Sequence, residues 1–195
     1  MPRSFQIQEI PVDDLLQLKA IAKLSTVAAR QHSPDWLATV SDAMTELERC
    51  IIPENLSRMA LHERNPVGWI SAFPVNNAVW EIHPLLVDPS THGEGVGSLL
   101  VKEVEKTLTV RGVRTIQLST SDATHATTLS GKDLYIDPLG ELQKLDVTDS
   151  TLGHAYQFWI RSGYKVVGVL PDAEGMGIPS ICFAKRLVPF STSYR

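Results

Sequence analysis

A glycine-rich turn in the middle of the chain, His92-Gly93-Glu94-Gly95-Val96-Gly97, constrains the fold most. The apolar run Val79–Val87 precedes it, and an apolar residue then recurs at every fourth position from Val96 to Leu108, as in a helix. The first N–H groups of a helix have no internal partner and converge where the chain enters it, so they can hold a diphosphate without a basic side chain. The pattern predicts a strand–turn–helix unit for a phosphate-bearing ligand, with a helix-entry loop that binds nothing as the alternative.

Two common phosphate-binding sequences fit this turn poorly. The P-loop ends in Gly-Lys-Ser/Thr, whereas Gly97 is followed by Ser98 and Leu99. The Rossmann fingerprint places its first glycine directly after an early strand, whereas this turn lies mid-chain, behind several predicted strands joined by short turns. Other coenzymes that carry a diphosphate remain as candidates.

Hydrophobic periodicity over the rest of the chain alternates between that of strands and that of helices. Strands are predicted at Phe5–Ile10, Ser57–Glu63, Val67–Phe73, Val79–Val87, Val113–Ser119, Tyr164–Leu170 and Ile181–Leu187. Helices are predicted after Pro11, from Ser33 with Pro34 as the first helical residue, over Val96–Arg111 and over Leu152–Arg161. Within this mixed α/β pattern we expect a bulge at Pro84, a turn at Asn65-Pro66 and a loop over Pro171–Pro179.

Composition restricts the class of protein. Of the 195 residues 43% are hydrophobic and 21% are charged, which are the proportions of a soluble globular domain. The 18 basic and 22 acidic residues give a net charge of −4, whereas nucleic-acid binding needs basic clusters. No apolar run reaches the roughly 20 residues that span a bilayer, and Met1–Glu9 lacks the pattern of a secretion signal. The cysteines are Cys50 and Cys182 alone. We therefore expect a reduced, cytoplasmic protein that binds no metal and no membrane.

The run from Leu85 to Leu100 resembles the central motif of the GNAT N-acetyltransferases, with Gly95 and Gly97 at the family's glycine positions and His92 in place of the usual Arg or Gln. The resemblance implies a GNAT fold, a mixed but mostly antiparallel sheet that splays between its fourth and fifth strands and is flanked by helices. It implies one domain over residues 1–188, with 121–150 as a surface excursion and 189–195 as a tail. It also implies acetyl-CoA as the cosubstrate, bound by Leu85, Leu86, Val87, His92, Gly93, Gly95, Val96, Gly97 and Ser98.

Four further segments resemble the aminoglycoside 6′-N-acetyltransferases of this family. They are Trp80–Leu85, with its Glu-x-His-Pro-Leu pattern, Leu118–Asp122, His154–Trp159 together with Ser162–Tyr164, and Val167–Ala173. The resemblance implies an aminoglycoside acceptor, antibiotic resistance and a homodimer. An acetyltransferase for another amine, such as a polyamine or a protein N-terminus, and a CoA-binding module whose catalysis has decayed are the alternatives.

Glu81 and His83 are the predicted proton acceptors. An amine arrives protonated and must lose a proton before it attacks a thioester, and a carboxylate or imidazole can accept it. Residues two apart on a strand point to the same face, so both side chains should lie beside the splay. We favour Glu81 as the base, with binding of an acceptor ammonium group as its alternative role. A backbone N–H near Leu86 or Val87 is the expected donor to the developing oxyanion.

The leaving thiolate lacks its usual acid. The family has a Tyr after a Phe on the last helix, whereas Trp159 follows Phe158 here, and an indole cannot protonate a thiolate. Tyr156, one helical turn earlier, is the predicted substitute; departure without an acid and a purely structural aromatic face are the alternatives. Trp159, Asp122 and Asp172 are the predicted acceptor contacts, although either aspartate could instead stabilise a turn.

Overall fold

The structure is a computed structural model of the chain and describes residues 3–30, 33, 35–148 and 155–189. It contains seven strands, β1 (Gln6–Glu9), β2 (Leu56–His62), β3 (Asn65–Pro74), β4 (Val79–Val87), β5 (Thr115–Ser121), β6 (Lys165–Gly175) and β7 (Ile178–Arg186). Its helices are α1 (Leu15–Ala29), α2 (Val40–Cys50), α3 (Val96–Val110), α4 (Pro138–Gln143) and α5 (Tyr156–Arg161). The strands form one sheet in the order β1-β2-β3-β4-β5-β7-β6, so the predicted mixed α/β class is confirmed.

The sheet opens between β4 and β5, as the family resemblance implies. These two strands are the one parallel neighbouring pair in the described sheet, and they are paired over Val79–Glu81 and Thr115–Gln117. Beyond this short contact β4 runs on to Val87 and β5 runs on to Ser121, but the two strands no longer pair with each other. The unpaired edge of β4 therefore faces a gap in the sheet.

Pro84 lies in a bulge of β4, as predicted. Ile82 is opposite Ala72 of β3 and Leu85 is opposite Ile70, so His83 and Pro84 together face a single residue of β3. Proline has no N–H to give to the ladder, which favours such an interruption. Pro84 lies three residues before Val87, the last residue of β4. Because a bulge bends its strand, β4 changes direction beside the gap.

Two apolar cores cover the two faces of the sheet. On one face α1 and α2 pack against β2 and β3, where Trp69 is fully buried and its indole N–H donates to Ser25 Oγ at 2.8 Å. On the other face Leu100 and Leu108 of α3 pack against the sheet with Ile116 and Phe183. Each such side chain contributes about 1.5–3 kcal/mol by leaving water. The cores fix the positions of α1, α2 and α3 around the gap.

The predicted start of α2 at Ser33 is wrong. The helix begins at Val40, where Thr39 Oγ1 accepts from Asp42 N at 3.2 Å and Asp42 Oδ2 accepts from Thr39 N at 2.9 Å. This reciprocal capping box satisfies the first N–H groups of the helix and so determines where it begins. Pro34, predicted as the first helical residue, lies outside the described residues.

Two hairpin turns also differ from the prediction. Asn65 already belongs to β3, and the preceding turn is formed by Glu63 and Arg64, both at positive φ (48° and 70°). The predicted loop Pro171–Pro179 is mostly strand, because β6 continues to Gly175 and β7 begins at Ile178. Cross-strand pairing with the neighbouring strand overrides the local effect of proline and glycine in both places.

The segment predicted to cross the surface, 121–150, is described up to residue 148. It contains α4 and a β-bridge between Thr127 and Val147. Leu129 and Leu134 from this segment are buried in the core on the α3 side. The segment thus adds apolar side chains to that core beside its exposed residues. The first residues of the predicted last helix, 152–154, lie outside the described residues.

Candidate active site

A cavity of about 800 Å³ opens at the gap in the sheet, between α3 and α5. Every residue predicted to bind the coenzyme lines it: Leu85, Leu86, Val87, His92, Gly93, Gly95, Val96, Gly97 and Ser98. The strand, the turn and the first turn of α3 therefore meet around one space, as a phosphate-binding strand–turn–helix unit requires.

The three glycines of the turn have different structural reasons. Gly93 and Gly95 have φ of 80° and 89°, and a Cβ built on either would meet nothing within 4 Å. These two positions need glycine for the left-handed backbone. Gly97 has no such φ, but a Cβ there would lie 3.2 Å from Cε2 of Phe158 on α5. Gly97 therefore lets α3 and α5 approach each other along the cavity.

The open edge of β4 offers two free-facing peptide groups. Asp88 N donates to Val67 O at 2.9 Å, and hydrogen-bonded pairs alternate along an antiparallel ladder. Trp69 and Leu86, two positions along, therefore also form a hydrogen-bonded pair. Leu85 and Val87 lie in the non-hydrogen-bonded pairs, so they direct their N–H and C=O groups away from β3 into the gap. Of the two N–H groups that the sequence suggested as oxyanion donors, that of Leu86 faces β3 and that of Val87 faces the gap.

Basic side chains line the cavity beside the turn. His92 Nε2 lies 3.3 Å from Val87 O, and Lys102 and Arg161 stand on α3 and α5. Lys185 Nζ is held at 2.8 Å by both carboxylate oxygens of Glu105 and by Ser162 O. Glu105 neutralises Lys185, so Lys102 and Arg161 supply the positive charge here. Left-handed glycines, helix N–H groups and this charge together fit a ligand that ends in phosphates, such as coenzyme A.

Glu81 lies on the opposite side of the gap from α3. Its strand neighbours Trp80 and Ile82 belong to the α3 core, so alternation places Glu81 and His83 on the other face, as predicted. Glu81 Oε2 accepts from Gln117 Nε2 at 2.8 Å, across the last paired step of β4 and β5. Burial, and secondarily the charge of Glu81, raises the pKa of Cys182, which lies on this face of β7. A half-buried carboxylate therefore stands where the two strands part.

His83 lies in contact with a residue that the sequence analysis missed. Its Nε2 is 3.2 Å from Oε1 of Glu46 on α2, and its ring packs against Trp36 with centroids 5.5 Å apart. Both Glu46 and His83 line a second cavity of about 360 Å³. The signal was present in the helix pattern, because Glu46 falls on the buried face of α2 between Ala43 and Cys50. An acidic residue on an apolar helix face usually has a specific partner.

The aromatic residues of α5 point in two directions. Trp159 is buried, lines the large cavity and packs edge-on against Phe158 and Tyr164, with centroids 5.0 Å apart in both pairs. Tyr156 packs edge-on against Phe183 at 5.8 Å and is absent from the described lining of that cavity. Burial, followed by the charge of Glu105, raises the pKa of Tyr164 far above its usual value, so this phenol keeps its proton. The structure thus brings Trp159, rather than the predicted acid Tyr156, to the cavity wall.

The two aspartates predicted to contact the acceptor both hold turns. Asp122 is fully buried, and it accepts from Ala126 N at 2.8 Å and from Thr127 Oγ1 at 2.6 Å. Asp172, exposed and at a φ of 52°, accepts from Gly177 N at 2.7 Å in the β6–β7 hairpin. These contacts are those of the turn-stabilising alternative, and a role of either residue in acceptor binding stays a prediction.

Comparison with known proteins identifies the family. A sequence profile described as the Acetyltransferase (GNAT) family matches residues 17–129, which is more than half of the chain. The chain belongs to the GNAT acetyltransferase family. No curated protein sequence matches this GNAT acetyltransferase.

Solved structures resemble this acetyltransferase over nearly its whole length. An aminoglycoside 6′-N-acetyltransferase solved with coenzyme A is 32% identical, with a TM-score of 0.84 over 95% of this chain and 99% of the other. The aminoglycoside 6′-N-acetyltransferase from Enterococcus faecium is also 32% identical, with a TM-score of 0.81 and the same coverage. The ribosomal-protein-S18-alanine N-acetyltransferase from Escherichia coli, 14% identical with a TM-score of 0.65 over 98% of this chain and 99% of the other, shares the fold.

Among residues 3–30, 33, 35–148 and 155–189, no three His, Cys, Asp or Glu side chains are grouped so that they could hold a metal ion. None of the helices in this described part has the length and apolar character needed to cross a bilayer.

Proposed function

We propose that this acetyltransferase uses acetyl-CoA to acetylate an amine, and that the acceptor is the 6′-amino group of an aminoglycoside. The observation that carries the proposal is the gap between β4 and β5, with the coenzyme-sized cavity on one side and Glu81 on the other. The similarity to two aminoglycoside 6′-N-acetyltransferases at 32% identity supports the choice of acceptor.

The residues around the glycine turn would hold the coenzyme. The N–H groups at the start of α3, together with the positive end of its dipole, would bind the diphosphate. The outward-facing N–H and C=O groups of Val87, with the C=O of Leu85, would pair with the amide-bearing arm in the manner of an added strand. Acetyl-CoA supplies an acetyl group activated as a thioester. Lys102 and Arg161 add positive charge along the same wall.

Glu81 would accept the proton of the incoming ammonium group, directly or through a water molecule. Its hydrogen bond from Gln117 fixes the carboxylate at the point where the strands part. General bases of this kind contribute roughly 10²–10⁴-fold to rate. The N–H of Leu85, which is the outward-facing donor nearer to Glu81 along β4, would stabilise the negative charge that develops on the thioester oxygen, while Val87 pairs with the arm of the coenzyme. The attack thus proceeds between a carboxylate on one face and a main-chain donor on the strand edge.

Protonation of the leaving thiolate has two candidate routes. The Tyr156 hydroxyl is the acid proposed from the sequence, but its ring packs against Phe183 rather than in the described cavity lining. The second route is departure of the thiolate without a protein acid, which its low basicity permits. A Tyr156→Phe variant distinguishes the two routes.

A matched pair of acceptors tests the proposal. CoA release from acetyl-CoA is followed with an aminoglycoside that carries a 6′-amine and with an analogue that carries a 6′-hydroxyl instead. We expect turnover with the amine alone, and NMR of the product should locate the acetyl group at the 6′-nitrogen. If several 6′-amino aminoglycosides gave no CoA release, the proposal that the acceptor is an aminoglycoside would be refuted. Turnover of a polyamine or a peptide N-terminus in their place would identify one of the alternative amines. The homodimer implied by resemblance is a separate proposal, tested by sedimentation velocity.

A further inference from the structure

We infer that Glu46 is a positioning residue that holds His83 with its hydrogen on Nε2, leaving Nδ1 as a hydrogen-bond acceptor for the amine substrate. The inference deepens the proposed function and rests on it for the identity of the substrate. Glu46 is on a different element, 37 residues away in the chain, and no motif of the sequence contains it.

The first observation is the geometry of the pair. Glu46 is 11% exposed and His83 is 48% exposed, and the two meet at 3.2 Å through Oε1 and Nε2. A carboxylate oxygen accepts and cannot donate when ionised, so this contact requires a hydrogen on Nε2. In a neutral imidazole the other nitrogen is then the acceptor. With about half of the His83 side chain exposed and Nε2 directed at the carboxylate, Nδ1 is the ring nitrogen left for a substrate.

The second observation is that the carboxylate itself is fixed. Glu46 Oε2 accepts from Arg49 at 3.3 Å, and Oε1 also accepts from Cys50 Sγ at 3.6 Å. Burial, and next the charge of Glu46, raises the pKa of the Cys50 thiol to about 12, so Cys50 remains a donor. The same thiol lies 3.8 Å from His83 O. The contacts of Cys50 and Arg49 therefore hold Glu46 in one orientation on α2.

The third observation is the position of His83 relative to the gap. His83 lies in the bulge of β4, two residues before Leu85, whose peptide group faces the coenzyme cavity. Trp36 covers one side of its ring. The ionisable groups around the pair are Arg49 and Cys50 on α2, Glu54 in the lining of the same small cavity, and Glu81 along β4. At metal sites, removal of a carboxylate that orients a ligating histidine typically costs about 10–100-fold in affinity or activity, and we expect an effect of the same order for the Glu46–His83 pair.

The nitrogen signals of the histidine side chains test the inference directly. Long-range ¹H–¹⁵N spectra of the full-length protein are recorded at about pH 8.5, where imidazole is neutral. A His83→Asn spectrum assigns the signal among the six histidines. We expect His83 to be in the Nε2–H form in the wild type. Predominance of the Nδ1–H form, or a mixture of the two, in the wild type would overturn the inference without any Glu46 variant.

Three variants supply the control for a merely structural role. Glu46→Ala should give His83 a mixture of tautomers and raise KM for the amine about 10–100-fold, with KM for acetyl-CoA changed less than twofold. Glu46→Gln, whose amide oxygen still accepts, should restore both the tautomer and most of the KM. Glu54 is a carboxylate that lines the same cavity without contact to His83. Its Glu54→Gln variant should therefore match the wild type.

The inference and the proposed function fail in different ways. An unchanged tautomer and unchanged amine KM in a folded Glu46→Ala would overturn the inference while leaving the acetyltransferase reaction intact. Equal increases in KM for both substrates would also overturn it, because they indicate general damage. Absence of turnover with every amine would remove the proposed acceptor, and the nitrogen spectra would then still decide whether Glu46 orients His83.

Discussion

Replacement of Gly97 by alanine should weaken coenzyme binding while leaving the fold intact. The new methyl group would lie 3.2 and 3.3 Å from two ring carbons of Phe158, a few tenths of an ångström inside ordinary carbon contact. Alanine stabilises a helix by up to about 1 kcal/mol over glycine, and crowding of this size costs about 1–3 kcal/mol. The net cost in stability is therefore between about zero and 2 kcal/mol, which a folded domain can tolerate. Phe158 can relieve this crowding by moving. Because Phe158 forms part of the cavity wall, its movement would change the coenzyme site.

Calorimetric titration with CoA and thermal unfolding measure the two consequences separately. We expect affinity to fall about tenfold, which corresponds to about 1.4 kcal/mol, with the melting temperature within a few degrees of wild type. Gly95→Ala is the contrast, because its Cβ would meet open space but its φ is 89°, so its cost arises from the backbone. A Gly97→Ala variant with normal CoA affinity, or one that is unfolded, would refute the packing argument.

Three other predictions concern single groups. Tyr156→Phe should retain kcat within about threefold if the thiolate leaves without an acid, and a loss of 10²-fold or more in kcat would establish Tyr156 as the acid. Cys50, with its pKa raised to about 12 mainly by burial, should react with a thiol reagent far more slowly than a free cysteine at neutral pH, and rapid labelling of the folded protein would contradict the burial. The lysine contacts of Glu141 lower its pKa from 4.5 to about 2. The stabilising effect of the ionised Glu141 on α4 is therefore present above about pH 4.5 and lost as pH falls through about 2. Amide exchange in α4, corrected for intrinsic chemistry, should accelerate across that window, and a pH-independent rate would contradict the prediction.

The parts of the site that are local in sequence could be predicted from it. The strand end, the glycine turn and the first turn of α3 lie within Leu85–Ser98, so their residues come together whatever the rest of the chain does. The bulge at Pro84 follows from the missing N–H of one residue. The predicted start of α2 is wrong because Ser33-Pro34 is a local helix-start signal of the same kind as the Thr39–Asp42 capping box, and it is the capping box that starts the helix.

The parts that depend on long-range packing could not. Glu46 meets His83 across 37 residues, and only the tertiary packing of α2 beside the sheet brings them together. The reason for Gly97 lies in Phe158 on another helix rather than in a ligand or a backbone angle. Likewise, helical spacing alone placed Tyr156 and Trp159 on roughly one face, whereas in the structure Tyr156 packs against Phe183 of β7 and Trp159 lines the cavity.

Amide chemical-shift mapping during a titration with CoA tests the central claim most directly. The account predicts that the N–H signals of Val87, Gly93 and Gly95 shift most strongly, because these groups line the cavity and face a ligand there. Saturable shifts confined to another surface, or no shifts at millimolar CoA, would contradict it.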